Sequence, residues 1–75
     1  MAQYRVNTLM YGVDLSDMHA ASFTVDRTPL AEVKEMALTG TRLARNARDI
    51  TKVVTTIHRV KSDGWNGKLI VTYTV

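Results

Sequence analysis

An α+β domain in ββαββ order follows from three features of these 75 residues. Two stretches before Thr28 alternate their side chains with a period of two. One helical stretch follows Pro29. Two β-branched stretches then flank a turn rich in Asp, Gly and Asn. A four-stranded, mainly antiparallel sheet with one amphipathic helix on one face is the simplest arrangement that buries these apolar faces. Seventy-five residues make a single domain, 1–75, with a modest core.

The first strand is expected over Tyr4–Tyr11. Tyr4, Val6, Thr8 and Met10 share one face, and Arg5, Asn7, Leu9 and Tyr11 the other. Gly12 to Asp17 reads as a turn, because Gly tolerates positive φ and Asp and Ser bond to nearby backbone. It is a candidate contact loop or a plain connector. Ala20–Asp26 is the second strand, with the cleanest alternation of this half: Ala21, Phe23 and Val25 against Ser22, Thr24 and Asp26. One buried and one wet face are expected of it.

Thr28-Pro29 opens the helix, with Thr28 as the expected cap and Pro29 in the first turn. Glu32 and Glu35 favour the positive end of the helix dipole. Leu30, Val33, Met36 and Ala37 recur at helical spacing and should face the sheet. Leu43, Ala44 and Ala47 share a side further on. Gly40 leaves two courses open. One helix runs from Pro29 to about Ala47, bent or broken at Gly40 at a cost of about 1 kcal/mol relative to Ala, or two short helices meet there. Thr51–Lys61 is a β-prone run, and Lys68–Val75 pairs with it across Ser62 to Gly67, which holds both Asp-Gly and Asn-Gly. If Leu9, Tyr11, Ile57 and Ile70 occupy the face away from the helix, that face is partly apolar. A homodimer or a docked partner could then use it.

Composition excludes several classes of chemistry. Cysteine is absent, which removes disulfides, thiolate metal sites and a Cys nucleophile. Two histidines do not make a four-ligand zinc site. The four glycines are too far apart for a phosphate loop. His19 lies near Asp14, Ser16, Asp17 and Ser22 in sequence, but a triad also needs an orienting partner and an oxyanion hole. His58 reads as a strand residue with one nitrogen bonded. Glu32 and Glu35 are explained by the helix dipole, and Asp14 and Asp17 are too few for a calcium loop. The expectation is a non-enzymatic protein with no catalytic residue, metal or cofactor. No stretch approaches the roughly 20 apolar residues of a membrane span. No export signal is legible at Met1 to Arg5, so the cytoplasm is the expected compartment.

Charge is the strongest functional signal. Residues 1–41 set Arg5, Arg27 and Lys34 against five acids, a balance of −2. Residues 42–75 set seven cations against Asp49 and Asp63, a balance of +5. Such lopsidedness suits an anionic partner, either an acidic protein surface or nucleic acid. The candidate contact residues are Arg42, Arg45, Arg48 and Lys52, joined by Arg59 and Lys61 from the next strand, with Trp65 at the hairpin tip to stack on a base. A helix-turn-helix reading fails, because Asn46 stands where an apolar core residue is wanted.

Ser22-Phe23-Thr24-Val25, the run from Thr28 to Ala37 and Val53 to Val60 together resemble small phage-encoded proteins. These include some anti-CRISPR proteins and a phage inhibitor of host RNA polymerase. The resemblance covers about half the chain and is architectural. Val33 stands where that pattern has Ala, and Arg42 to Arg48 has no counterpart. It implies a compact non-enzymatic module that binds and blocks a host nucleic-acid-handling complex, in the host cytoplasm. Direct DNA or RNA binding through Arg42 to Lys61 is the alternative expectation. Assembly through the sheet is a third.

Overall fold

The computed structural model describes residues 2–13 and 18–75. Its elements are β1 (Gln3–Gly12), β2 (Met18–Asp26), α1 (Leu30–Arg45), β3 (Ile50–Val60) and β4 (Asn66–Thr74). The sheet is antiparallel throughout, in the order β2-β1-β3-β4, and α1 packs on it. The expected ββαββ, α+β architecture is the observed one. Of the turn expected over Gly12–Asp17, Gly12 instead ends β1, and residues 14–17 lie outside the described residues.

Helix α1 sits chiefly over β3, with lesser contact to β1 and β4. Val6 of β1 pairs with Ile57 of β3, and both are buried with Val33 and Ala37 of the helix. Val53 is buried further along β3. Tyr4, Val25, Ile70, Val71 and Tyr73 close around this cluster. Fully burying an aliphatic side chain of this size contributes about 1.5–3 kcal/mol, so these few positions carry much of the stability.

A polar seam crosses the same interface. Thr41 and Thr55 are fully buried and bonded to each other. Thr41 Oγ1 also bonds to the Ala37 carbonyl at 2.6 Å, and Thr8 Oγ1 lies 3.3 Å from Thr55 Oγ1. A hydroxyl has one proton and a carbonyl only accepts. Thr41 therefore donates to Ala37, Thr55 to Thr41, and Thr8 to Thr55. The chain satisfies each buried oxygen and fixes how the helix sits along β1 and β3.

Several local expectations change. The single-helix course through Gly40 is the observed one, but it ends at Arg45 rather than near Ala47, and the two-helix alternative falls. Thr28 does not cap it. Pro29 holds the cap position without a side-chain bond, and Thr28 Oγ1 donates to the Asp26 carbonyl. Val33, Ala37 and Thr41 form the inward row at i+4 spacing. Met36 and Leu43 fall on the flank instead, 43% and 66% exposed. On 100° per residue, Met36 and Leu43 lie about 60–80° to one side of Val33, while Ala37 and Thr41 lie on the other side.

The last strand starts at Asn66, two residues earlier than expected. The Ser62-Asp63-Gly64 loop is closed by Lys61 N to Trp65 O and Gly64 N to Lys61 O, both 2.9 Å. Gly64 takes φ +87°, as the left-handed position of a three-residue hairpin loop demands. Asp63 accepts a 3.0 Å bond from the Trp65 amide. Asn66-Gly67 belongs to the strand, where a Cβ on Gly67 would meet the Arg59 carbonyl at 2.9 Å. A bulge sets Ile70 opposite no residue of β3, between the Ile57–Val71 and His58–Leu69 pairs. Ile70 thereby joins Val71 against the core, and Ile57 also faces the helix, so neither lies on the open face. That face keeps Leu9, Tyr11 and Val54, with a shallow hollow of about 350 Å³ over Asn7, Leu9, Ala20, Ser22, Val54 and Thr56.

Candidate binding surface

The predicted contact residues divide between two ends of a molecule 39 Å long. Arg42 is exposed on the last turns of α1. Arg48 is exposed in the turn before β3, and Lys52 is exposed at the start of β3. Lys52 Nζ stands 5.7 Å from the centroid of the Tyr11 ring. Arg45 is different. Its guanidinium donates to the Ile50 carbonyl at 2.8 Å and is partly buried, so it holds the helix end to β3.

Arg59 and Lys61 lie at the other end of β3. The seven residues from Lys52 to Arg59 span about 23 Å at strand spacing. The stretch Arg42 to Lys61 is therefore continuous in sequence and not in space.

At the hairpin end the chain builds a cleft of about 510 Å³, lined by Gln3, Asp26, Arg27, Arg59, Lys61 and Ser62 among others. An adjoining hollow shares Arg59, Lys61 and Ser62 and adds Lys68. Arg27, Arg59 and Lys61 thus share the cleft with one acid, Asp26, and Lys68 stands in the adjoining hollow. Among the described residues no Lys or Arg lies within 4.0 Å of a carboxylate oxygen. Arg5 braces the hairpin side: it donates to Asn66 Oδ1 at 2.9 Å and to the Gly64 carbonyl at 3.2 Å. Trp65 is 74% exposed at the hairpin, so it does not fold back on the core.

Arg27 and Lys68 escaped the sequence reading. Arg27 sits in the acidic half of the chain and reaches the basic end only because β2 ends beside it. It takes φ +58°, in the left-handed region. For a non-glycine residue that conformation costs about 1 kcal/mol or more. The strain turns the chain between β2 and α1 and leaves Arg27 on the cleft wall.

His58 Nδ1 is buried without a hydrogen-bond partner, and no carboxylate is bonded to it. Among the described residues no group of three His, Cys, Asp or Glu side chains is placed to hold a metal ion. Among the described residues no helix is long and apolar enough to cross a membrane. Comparison with protein-family models, curated proteins and solved structures returns no match.

Proposed function

We propose that this chain is a small non-enzymatic binding protein that docks its hairpin end onto an acidic surface of a nucleic-acid-handling protein complex, as an inhibitor of the phage type that its layout resembles. The observation carrying this reading is the convergence of Arg27, Arg59, Lys61 and Lys68 around one polar cleft and the hollow adjoining it, with no ion pair among the described residues. Cations already partnered within the chain would gain little from an acidic partner. Free ones gain Coulomb attraction and steer the encounter. The cleft is polar and open, which suits a charged surface better than an apolar ligand.

A second reading, direct binding of DNA or RNA, is favoured by one observation. Trp65, whose carbonyl accepts from the Lys61 amide, is 74% exposed at the hairpin, as a stacking platform for a base would be.

Affinity capture from nuclease-treated bacterial lysate separates the two. The proposal expects one stoichiometric protein partner that survives nuclease and is released as salt rises, since exposed charge contacts are screened. Capture that disappears with nuclease, together with a gel shift on random-sequence oligonucleotides, would transfer the function to the second reading. Retention indifferent to salt would contradict both.

A further inference from the structure

The two edges of the sheet are protected unequally. Natural sheets blunt an exposed edge with charge, proline, bulges or a covering element, because unpaired backbone groups there invite another strand. β4 shows two of these devices: Lys68 lies within it, and its register against β3 shifts on either side of His58. Among the described residues β2 shows none of them before its last residue, Asp26. From Met18 to Val25 it has neither proline nor a formally charged residue, and it pairs with β1 over nine consecutive residues without a shift. All but one of its residues are exposed, Val25 being the exception.

We infer that β2 pairs antiparallel with β2 of a second copy, joining two four-stranded sheets into one of eight strands. Complete overlap of Met18–Asp26 centres the two-fold axis on Ser22. Phe23 then faces the partner subunit's Ala21, Thr24 faces the partner subunit's Ala20, and Val25 faces the partner subunit's His19. Large side chains meet small ones, and no two like charges are opposed. Each copy carries a net charge of +3, with cations around the hairpin end and the helix terminus. The middle of β2 is the neutral flank along which two such copies approach with least repulsion. Burial argues the same way. The buried apolar core among the described residues is only Val6, Val33, Ala37, Val53 and Ile57, and domains this small are often stabilised by association. Pairing would cover Phe23, now 45% exposed. It would also set two cationic clefts at opposite ends of the paired strands, making the assembly bivalent. The inference stands on the sheet edge and not on the function proposed above.

One row of the open face supplies matched probes. Ser22, Asn7, Thr56 and Thr72 lie side by side across the sheet, with Ser22 on one edge and Thr72 on the other. Light scattering after size exclusion should give a mass rising with concentration from the 8.4 kDa of one chain towards twice that value. Ser22→Lys should hold the mass at one chain, and Thr72→Lys should leave the rise intact. Covalent trapping gives an independent readout, because the chain has no cysteine. At the axis the two Ser22 Cα atoms would be about 4.5–5.5 Å apart, whether or not that pair is hydrogen-bonded. This lies inside the roughly 4.4–6.8 Å range of a disulfide, so Ser22→Cys should form dimers under mild oxidant. Ala20→Cys should not, because its copies would stand about 13 Å apart. A single-chain mass at every concentration would overturn the inference. So would a dimer lost on Thr72→Lys and kept on Ser22→Lys, or trapping through Ala20→Cys as fast as through Ser22→Cys.

Discussion

β3 and β2 both alternate with a period of two, yet they have opposite fates. In β3, Val53, Thr55 and Ile57 are buried beneath the helix. In β2, the same face carries Ala21 and Phe23, and both are exposed. The difference is position in the sheet. β3 is central and lies under α1, while β2 is an edge to one side of it. Alternation therefore reports which residues share a face. It does not report whether anything covers that face.

The largest expected effect that sharpens this contrast comes from truncation. Ile57→Ala should destabilise the fold by about 2–5 kcal/mol, as a buried large-to-small change does. Phe23→Ala at low protein concentration should cost only about 1–1.5 kcal/mol, half of a full transfer value. Denaturant melts of the two variants check this, and equal losses would erase the distinction between the strands. Next is the threonine seam. Thr55→Val keeps the volume and removes the acceptor for Thr8 and the donor to Thr41, so a loss of about 1–2 kcal/mol is expected in the same assay. A smaller effect has the opposite sign. Arg27→Gly relieves the left-handed backbone and should be neutral or stabilising by up to about 1 kcal/mol in thermal melts, while weakening capture of the partner. The smallest is Leu43→Lys on the exposed flank of the helix, expected within about 0.5 kcal/mol of the parent.

The fold was largely legible because local signals agreed with the tertiary solution. Proline before the helix, Asp63-Gly64 at the turn and β-branched runs on either side each specify one outcome. Details failed where a neighbour decided them. Nothing in the helical period distinguishes the row Val33-Ala37-Thr41 from one through Met36, until the sheet supplies a threonine for Thr41 to bond. The bulge at Ile70 depends on how β4 fits β3. The binding surface was half legible. Clustered cations in sequence pointed to charge, but an extended strand separates Lys52 from Arg59, and only tertiary pairing brings Arg27 to them. Arg45 looked free because its carbonyl partner, Ile50, lies beyond the helix end.

Two basic regions thus remain, and they differ in construction. Arg59, Lys61, Lys68 and Arg27 border a cleft and its adjoining hollow, while Arg42, Arg48 and Lys52 stand apart around the helix terminus. Charge reversal at one region at a time tests the account most directly, read as the amount of partner captured from nuclease-treated lysate. Arg27→Glu with Arg59→Glu and Lys61→Glu should abolish capture, whereas Arg42→Glu with Arg48→Glu and Lys52→Glu should leave most of it. Undiminished capture by the first variant, with circular dichroism showing it folded, would contradict the assignment of the hairpin end as the contact.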